Sequence, residues 1–124
     1  MKPFLSLTAS LFAAVMGSDA DAHAFLLKSD PAVGATVQAP KTVRLEFSEA
    51  VELPFSGVDV ANGSGIAVAV QNVRLNGNDH KVLLADLAPL SAGVYRVKWH
   101  VVSVDTHRTE GDFGEGDFSF TVKP

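Results

Sequence analysis

The chain contains no cysteine. No disulfide can staple it, and no thiolate can hold a metal ion or attack a substrate. Methionine is nearly as scarce, with only Met1 and Met16, both near the start. Trp99 and Tyr95 are the sole residues of their types, so phenylalanine, with eight residues, is the main aromatic. Basic residues are outnumbered, ten Lys and Arg against fourteen Asp and Glu. That balance argues against a nucleic-acid partner, which wants a basic face. The one long apolar run, Phe4 to Val15, is too short to span a bilayer.

That run has the marks of a secretory signal peptide. Lys2 supplies a positive start, Phe4 to Val15 carries no charge, and Ala20-Asp21-Ala22 has the A-x-A form of a cleavage site. Residues 1–22 are therefore expected to be removed, leaving 23–124 as one mature domain. Both methionines leave with the signal, so any metal site in the remainder is built from nitrogen and oxygen.

What remains alternates. Val43, Leu45 and Phe47 fall on one face, with Arg44, Glu46 and Ser48 on the other. Tyr95, Val97, Trp99 and Val101 point one way; Arg96, Lys98 and His100 point the other. A period of two marks a half-buried β-strand. Val58 and Val60 continue the theme, as do Phe118, Phe120 and Val122. Ile66, Val68 and Val70 read as one further strand, and His80 to Ala85 as the next. Turns are expected at Ser29 to Gly34, Asn62 to Gly65 and Asn76 to Asp79. The glycine-rich acidic stretch Gly111 to Gly116 reads as a loop lengthened by a small duplication, Gly111-Asp112-Phe113 and Gly116-Asp117-Phe118. No helix is convincing. About seven strands in about 100 residues predict an all-β, immunoglobulin-like Greek-key β-sandwich. Trp99, Phe47, Phe118 and Phe120 are the expected core anchors.

The chemistry concentrates at two places. Asp105 and His107 follow the Tyr95 strand and, two residues apart in an extended segment, project to the same side. Cleavage after Ala22 makes His23 the first residue, with a free α-amine beside its imidazole. Amine and Nδ1 of one residue close a six-membered chelate ring on a metal. The amine's ordinary pKa, about 8, makes its deprotonation easy near neutral pH. With Asp105 and His107 the set is three nitrogens and one oxygen, which favours Cu(II) over other divalent first-row ions. Zinc is the main competitor and would draw the ligands toward a tetrahedron. His100 shares a polar face with Arg96 and Lys98 and is expected to be a bystander. His80 sits beside a turn and is expected to be exposed.

Four segments carry a family resemblance: HAFLLKSDPAVGATV at 23–37, LEFSEAV at 45–51, YRVKWHVVSVDTHRTEG at 95–111 and FSFTV at 118–122. Together they resemble the CopC family of periplasmic copper-binding proteins. The most specific part is the N-terminal His combined with D-x-H after the W-x-V-V-S strand. The resemblance implies a periplasmic protein for copper storage, buffering or delivery that binds one Cu(II) ion. His23 (amine and ring), Asp105 and His107 would be the metal ligands. It also implies a CopD-type inner-membrane copper transporter as partner; the protein itself is expected to be a monomer. Some family members have a methionine-rich loop for Cu(I); with no mature methionine, no such site is expected here. Two other readings compete. One is a copper oxygenase with an N-terminal histidine brace, although a carboxylate at the copper would occupy a position oxygen chemistry needs open. The other is a metal-free structural or adhesion sandwich. The binding protein, not an enzyme, is the expectation.

Overall fold

The computed structural model describes residues 24–104 and 112–124. The described residues form nine strands: β1 (Leu26–Asp30), β2 (Thr36–Val37), β3 (Thr42–Phe47), β4 (Gly57–Asn62), β5 (Ala67–Val68), β6 (Val70–Asn76), β7 (Asp79–Leu87), β8 (Gly93–Ser103) and β9 (Asp112–Val122). A short 3-10 turn, Leu53–Phe55, precedes β4. Seven strands are longer than two residues, which agrees with the count read from the sequence. One sheet has the order β1-β3-β7-β6 and the other β2-β9-β8-β4-β5. Leaving out the two-residue strands, these orders are the ABED and GFC sheets of an immunoglobulin domain.

The alternation read from the sequence is the alternation of burial. Val43, Leu45 and Phe47 are fully buried, as are Val97 and Val101, while Arg96 and Lys98 are exposed. Phe47 and Trp99 meet edge to face across the two sheets, ring centroids 5.1 Å apart. They sit on β3 and β8, the strands that a disulfide joins in antibody domains. An aromatic pair of this kind adds about 1 kcal/mol beyond its burial, less than a disulfide but attainable without cysteine. Tyr95 stacks on Phe120, and its hydroxyl donates to the Ser91 carbonyl at 2.7 Å. That bond closes a tyrosine corner at the start of β8.

Two sequence expectations need correction. Ile66, Val68 and Val70 do not form one strand. Val68 pairs with Val60 in one sheet, and Val70 pairs with Leu87 in the other. The chain crosses between sheets at Ala69. Val68 and Val70 both pack against the same core, so the period of two runs through the crossing, while Ile66 precedes β5 and is 63% exposed. The acidic glycine-rich stretch is also not simply a loop. From Asp112 onward it is β9, paired with β8 from Ser103↔Asp112 to Gly93↔Val122. Its two Gly-Asp-Phe repeats are five residues apart, an odd offset that places them on opposite faces. Phe113 is 50% exposed and Phe118 only 5%.

The sheet edges are blunted, as edge strands of stable monomers are. The pairings of β1 and β6 each contain a register shift, and β2 and β5 have two residues each. On β6 the irregularity is held by Asp86 of β7. Its carboxylate accepts from Asn72 Nδ2 and an Arg74 guanidinium nitrogen at 3.1 Å, and from the Thr42 hydroxyl at 3.4 Å. Asn72 is the one non-glycine residue with positive φ among those described. The Asn72 bond first, then Arg74, holds the Asp86 carboxyl below its ordinary value of 3.8. A lowered native pKa contributes stability above the unfolded value, and that contribution is lost as pH falls through the native one. Urea midpoints should therefore fall as the pH drops below about 4, and fall less steeply in Asp86→Asn. Parallel slopes for the two proteins would show that the bonds to Asp86 add nothing.

Candidate metal centre

The chain leaving β3 organises one end of the sandwich. The Ser48 N–H donates to the Phe25 carbonyl at 2.9 Å, and the Phe25 N–H donates to Ser48 Oγ at 3.0 Å. Two residues on, the Ala50 carbonyl accepts the Val104 N–H at 2.9 Å. Val51 donates to the His80 carbonyl of β7 and bridges to Ser103 of β8. Glu52 donates to the Val102 carbonyl at 2.8 Å. Five consecutive residues thus tie together the start of the described chain, β7 and the end of β8. Ser48 and Ala50 are separated by two residues, so their Cα atoms are at most about 7 Å apart. Phe25 follows His23 by two positions, and Val104 directly precedes Asp105.

His23, Asp105 and His107 themselves lie outside the described residues. Among the described residues, no three His, Asp or Glu side chains gather as a metal site. The structure does describe what flanks the expected ligands. Ala24 is buried, 2% exposed, and belongs to the hydrophobic core. Glu49 stands between the two bonded residues Ser48 and Ala50 and is exposed. Its carboxylate is a hard oxygen donor at this end of the fold that the sequence reading did not single out. Its signal was weak: in LEFSEAV it reads as the polar end of a strand. His80 is exposed as expected, but its backbone carbonyl receives the Val51 N–H, so it belongs to the same end.

His100 is half-buried on the outer face of β8, opposite Gly57 on β4 and Glu115 on β9. Its ring lies over Gly57: a methyl group at position 57 would meet Cε1 at 2.6 Å. The imidazole thus covers the backbone of β4 at Gly57. On the same face, Arg96 and Asp117 form an exposed ion pair at 3.0 Å.

Comparison with known proteins accounts for this architecture. Residues 26–123 match the family model described as the CopC domain. Protein YobA of Escherichia coli K12 is 40% identical over 104 residues, which cover 82% of this chain and 80% of YobA. The copper transport protein CutJ of Bacillus subtilis is 31% identical over 117 residues, covering 90% of this chain and 22% of CutJ. The crystal structure of CopC from Methylosinus trichosporium OB3b matches with a TM-score of 0.74 at 32% identity, over 82% of this chain and 95% of that one. PcoC, a methionine-rich copper resistance protein from E. coli, matches with a TM-score of 0.70 at 36% identity, over 82% and 100%. Fold and likeness together define a small copper-handling β-sandwich. The chain belongs to the CopC family. Its members are periplasmic copper-binding and copper-resistance proteins, not enzymes.

The contact between His100 and Gly57 predicts a specific coupling. Gly57→Ala forces a methyl into the imidazole and should lower the urea midpoint, by roughly 1–3 kcal/mol of stability. His100→Ala in the same chain should restore most of it, because the two positions are in contact. Additive losses in the double variant would mean the ring does not rest on Gly57.

Proposed function

We propose that this protein binds one Cu(II) ion in the periplasm and stores, buffers or delivers it. Residues 1–22 act as a signal peptide, and their removal creates the α-amine of His23. That amine, the His23 ring, Asp105 and His107 hold the metal. The observation that carries this reading is the clasp at Ser48 to Ala50, which ties Phe25 and Val104 to points two residues apart. The chain near His23 and the chain entering Asp105 therefore start from neighbouring anchors. Glu49, between those anchors, adds negative charge where a dication would bind.

Three nitrogens and one carboxylate suit Cu(II) better than Cu(I), which prefers soft sulfur ligands. With no methionine after Met16, the chain offers no thioether site of the kind a methionine-rich relative would have. Blunted edges on both sheets favour a monomer. A CopD-type inner-membrane copper transporter is the proposed partner. The support for it is that the matching segment forms 22% of CutJ, a longer copper transport protein.

Competition titration against a Cu(II) chelator tests the ligand set. In protein that begins at His23, His23→Ala, Asp105→Ala and His107→Ala should each weaken Cu(II) binding at least tenfold, about 1.4 kcal/mol. Their metal-free melting temperatures should stay at the wild-type value. Glu49→Gln should weaken binding only several-fold. Wild-type affinity in all three ligand variants would remove the proposed site; a wild-type protein that takes up no Cu(II) would favour the metal-free sandwich.

A further inference from the structure

From Gly114 to Val122 the even-numbered residues of β9 face inward, and two of them, Gly114 and Gly116, bring no side chain to the interior. Their neighbours fill the space. At Gly116 the occupant is Trp99, whose Cζ2 would lie 2.6 Å from an added methyl group. At Gly114 the occupant is backbone: an added methyl group would collide with the Ala24 carbonyl oxygen. Gly114 is not among the glycines with positive φ, so its conformation does not call for glycine. Space is the reason for the missing side chain.

The other side of the same segment is held by Ser48, through the pair of bonds exchanged with Phe25. Ala24-Phe25 is therefore gripped between the two sheets, by β9 on one side and the end of β3 on the other. Ala24 is buried like a core residue, yet it stands only one position after His23. We infer that Gly114 is a positioning residue for copper: its bare backbone seats Ala24 so that the residue before it is presented at a fixed place. This rests on the Cu(II) reading above.

The consequence of filling that space follows from what can move. β9 is locked to β8 along eleven paired positions. Ala24 stands at the start of the described chain, outside any strand, and yields before the paired strands do. Metal–ligand distances tolerate only about ±0.2 Å. A displaced Ala24 carries the chelating residue with it and spoils the site while the sandwich survives. Gly116→Ala differs in kind, because its obstacle is a core tryptophan: it should cost stability and leave the metal ligands alone.

The test compares wild type, Gly114→Ala and Gly116→Ala, each beginning at His23. Cu(II) affinity is read by chelator competition, coordination by the Cu(II) EPR spectrum, and folding by the metal-free melting temperature. Gly114→Ala should weaken Cu(II) at least tenfold and change the EPR spectrum, with melting near wild type. Gly116→Ala should melt lower and keep the wild-type spectrum and affinity below its melting point. Ser48→Ala, which opens the clamp from the other side, should weaken Cu(II) several-fold and speed exchange of the Phe25 amide. Wild-type affinity and spectrum in both Gly114→Ala and Ser48→Ala would overturn the inference. So would a loss of affinity in Gly116→Ala equal to that in Gly114→Ala. A wild type that takes up no Cu(II) is a different failure: it removes the site, and this inference with it.

Discussion

The backbone of Ser48 to Glu52 is the constraint on which the functional end depends. Its hydrogen bonds reach Phe25, His80, Val102 and Val104, residues far apart in sequence. Buried backbone groups need partners, and this segment supplies them to several elements at once. Val51, fully buried, closes the core at that end and bridges to β8. The same five residues therefore finish the sandwich and set the anchors from which the expected ligand segments depart.

The absence of cysteine shapes the rest. Without a disulfide between the sheets, the core relies on close contacts among large residues. Phe47 meets Trp99, and Tyr95 meets Phe120. Two glycines of β9 allow close approach from inside the sandwich. Gly116 lets the Trp99 ring lie flat against β9, and Gly114 lets the Ala24 backbone do the same. β9 thus serves two tasks with one alternation, a seat for Trp99 at Gly116 and a seat for the Ala24 backbone at Gly114. Strands β8 and β9 are paired without a break from Gly93↔Val122 to Ser103↔Asp112.

Much of this was legible in the sequence because strands buried on one face announce themselves with a period of two. The core anchors Phe47, Trp99, Phe118 and Phe120 are all buried. Periodicity has no access to which sheet a strand joins, so the crossing at Ala69 was invisible. Glycine and acidic residues resemble a loop, so the first half of β9 was missed; the missing side chains make sense only once Ala24 and Trp99 are in place. For the proposed site, spacing singled out Asp105 and His107 and the expected cleavage singled out His23, and all three lie outside the described residues. Glu49 was hidden by its setting, and its nearness to both flanks comes from hydrogen bonds between residues remote in sequence. The Gly111 to Gly116 stretch, read as a lengthened loop, is β9 from Asp112 onward.

The central claim is that half of the copper site comes into being when the chain begins at His23. The most direct measurement is a Cu(II) competition titration of protein beginning at His23, beside the same protein with one extra residue before it. The extra residue turns the His23 amine into an amide and leaves every side chain in place. The account predicts a large loss of affinity and a changed EPR spectrum. Equal affinity and identical spectra would contradict it.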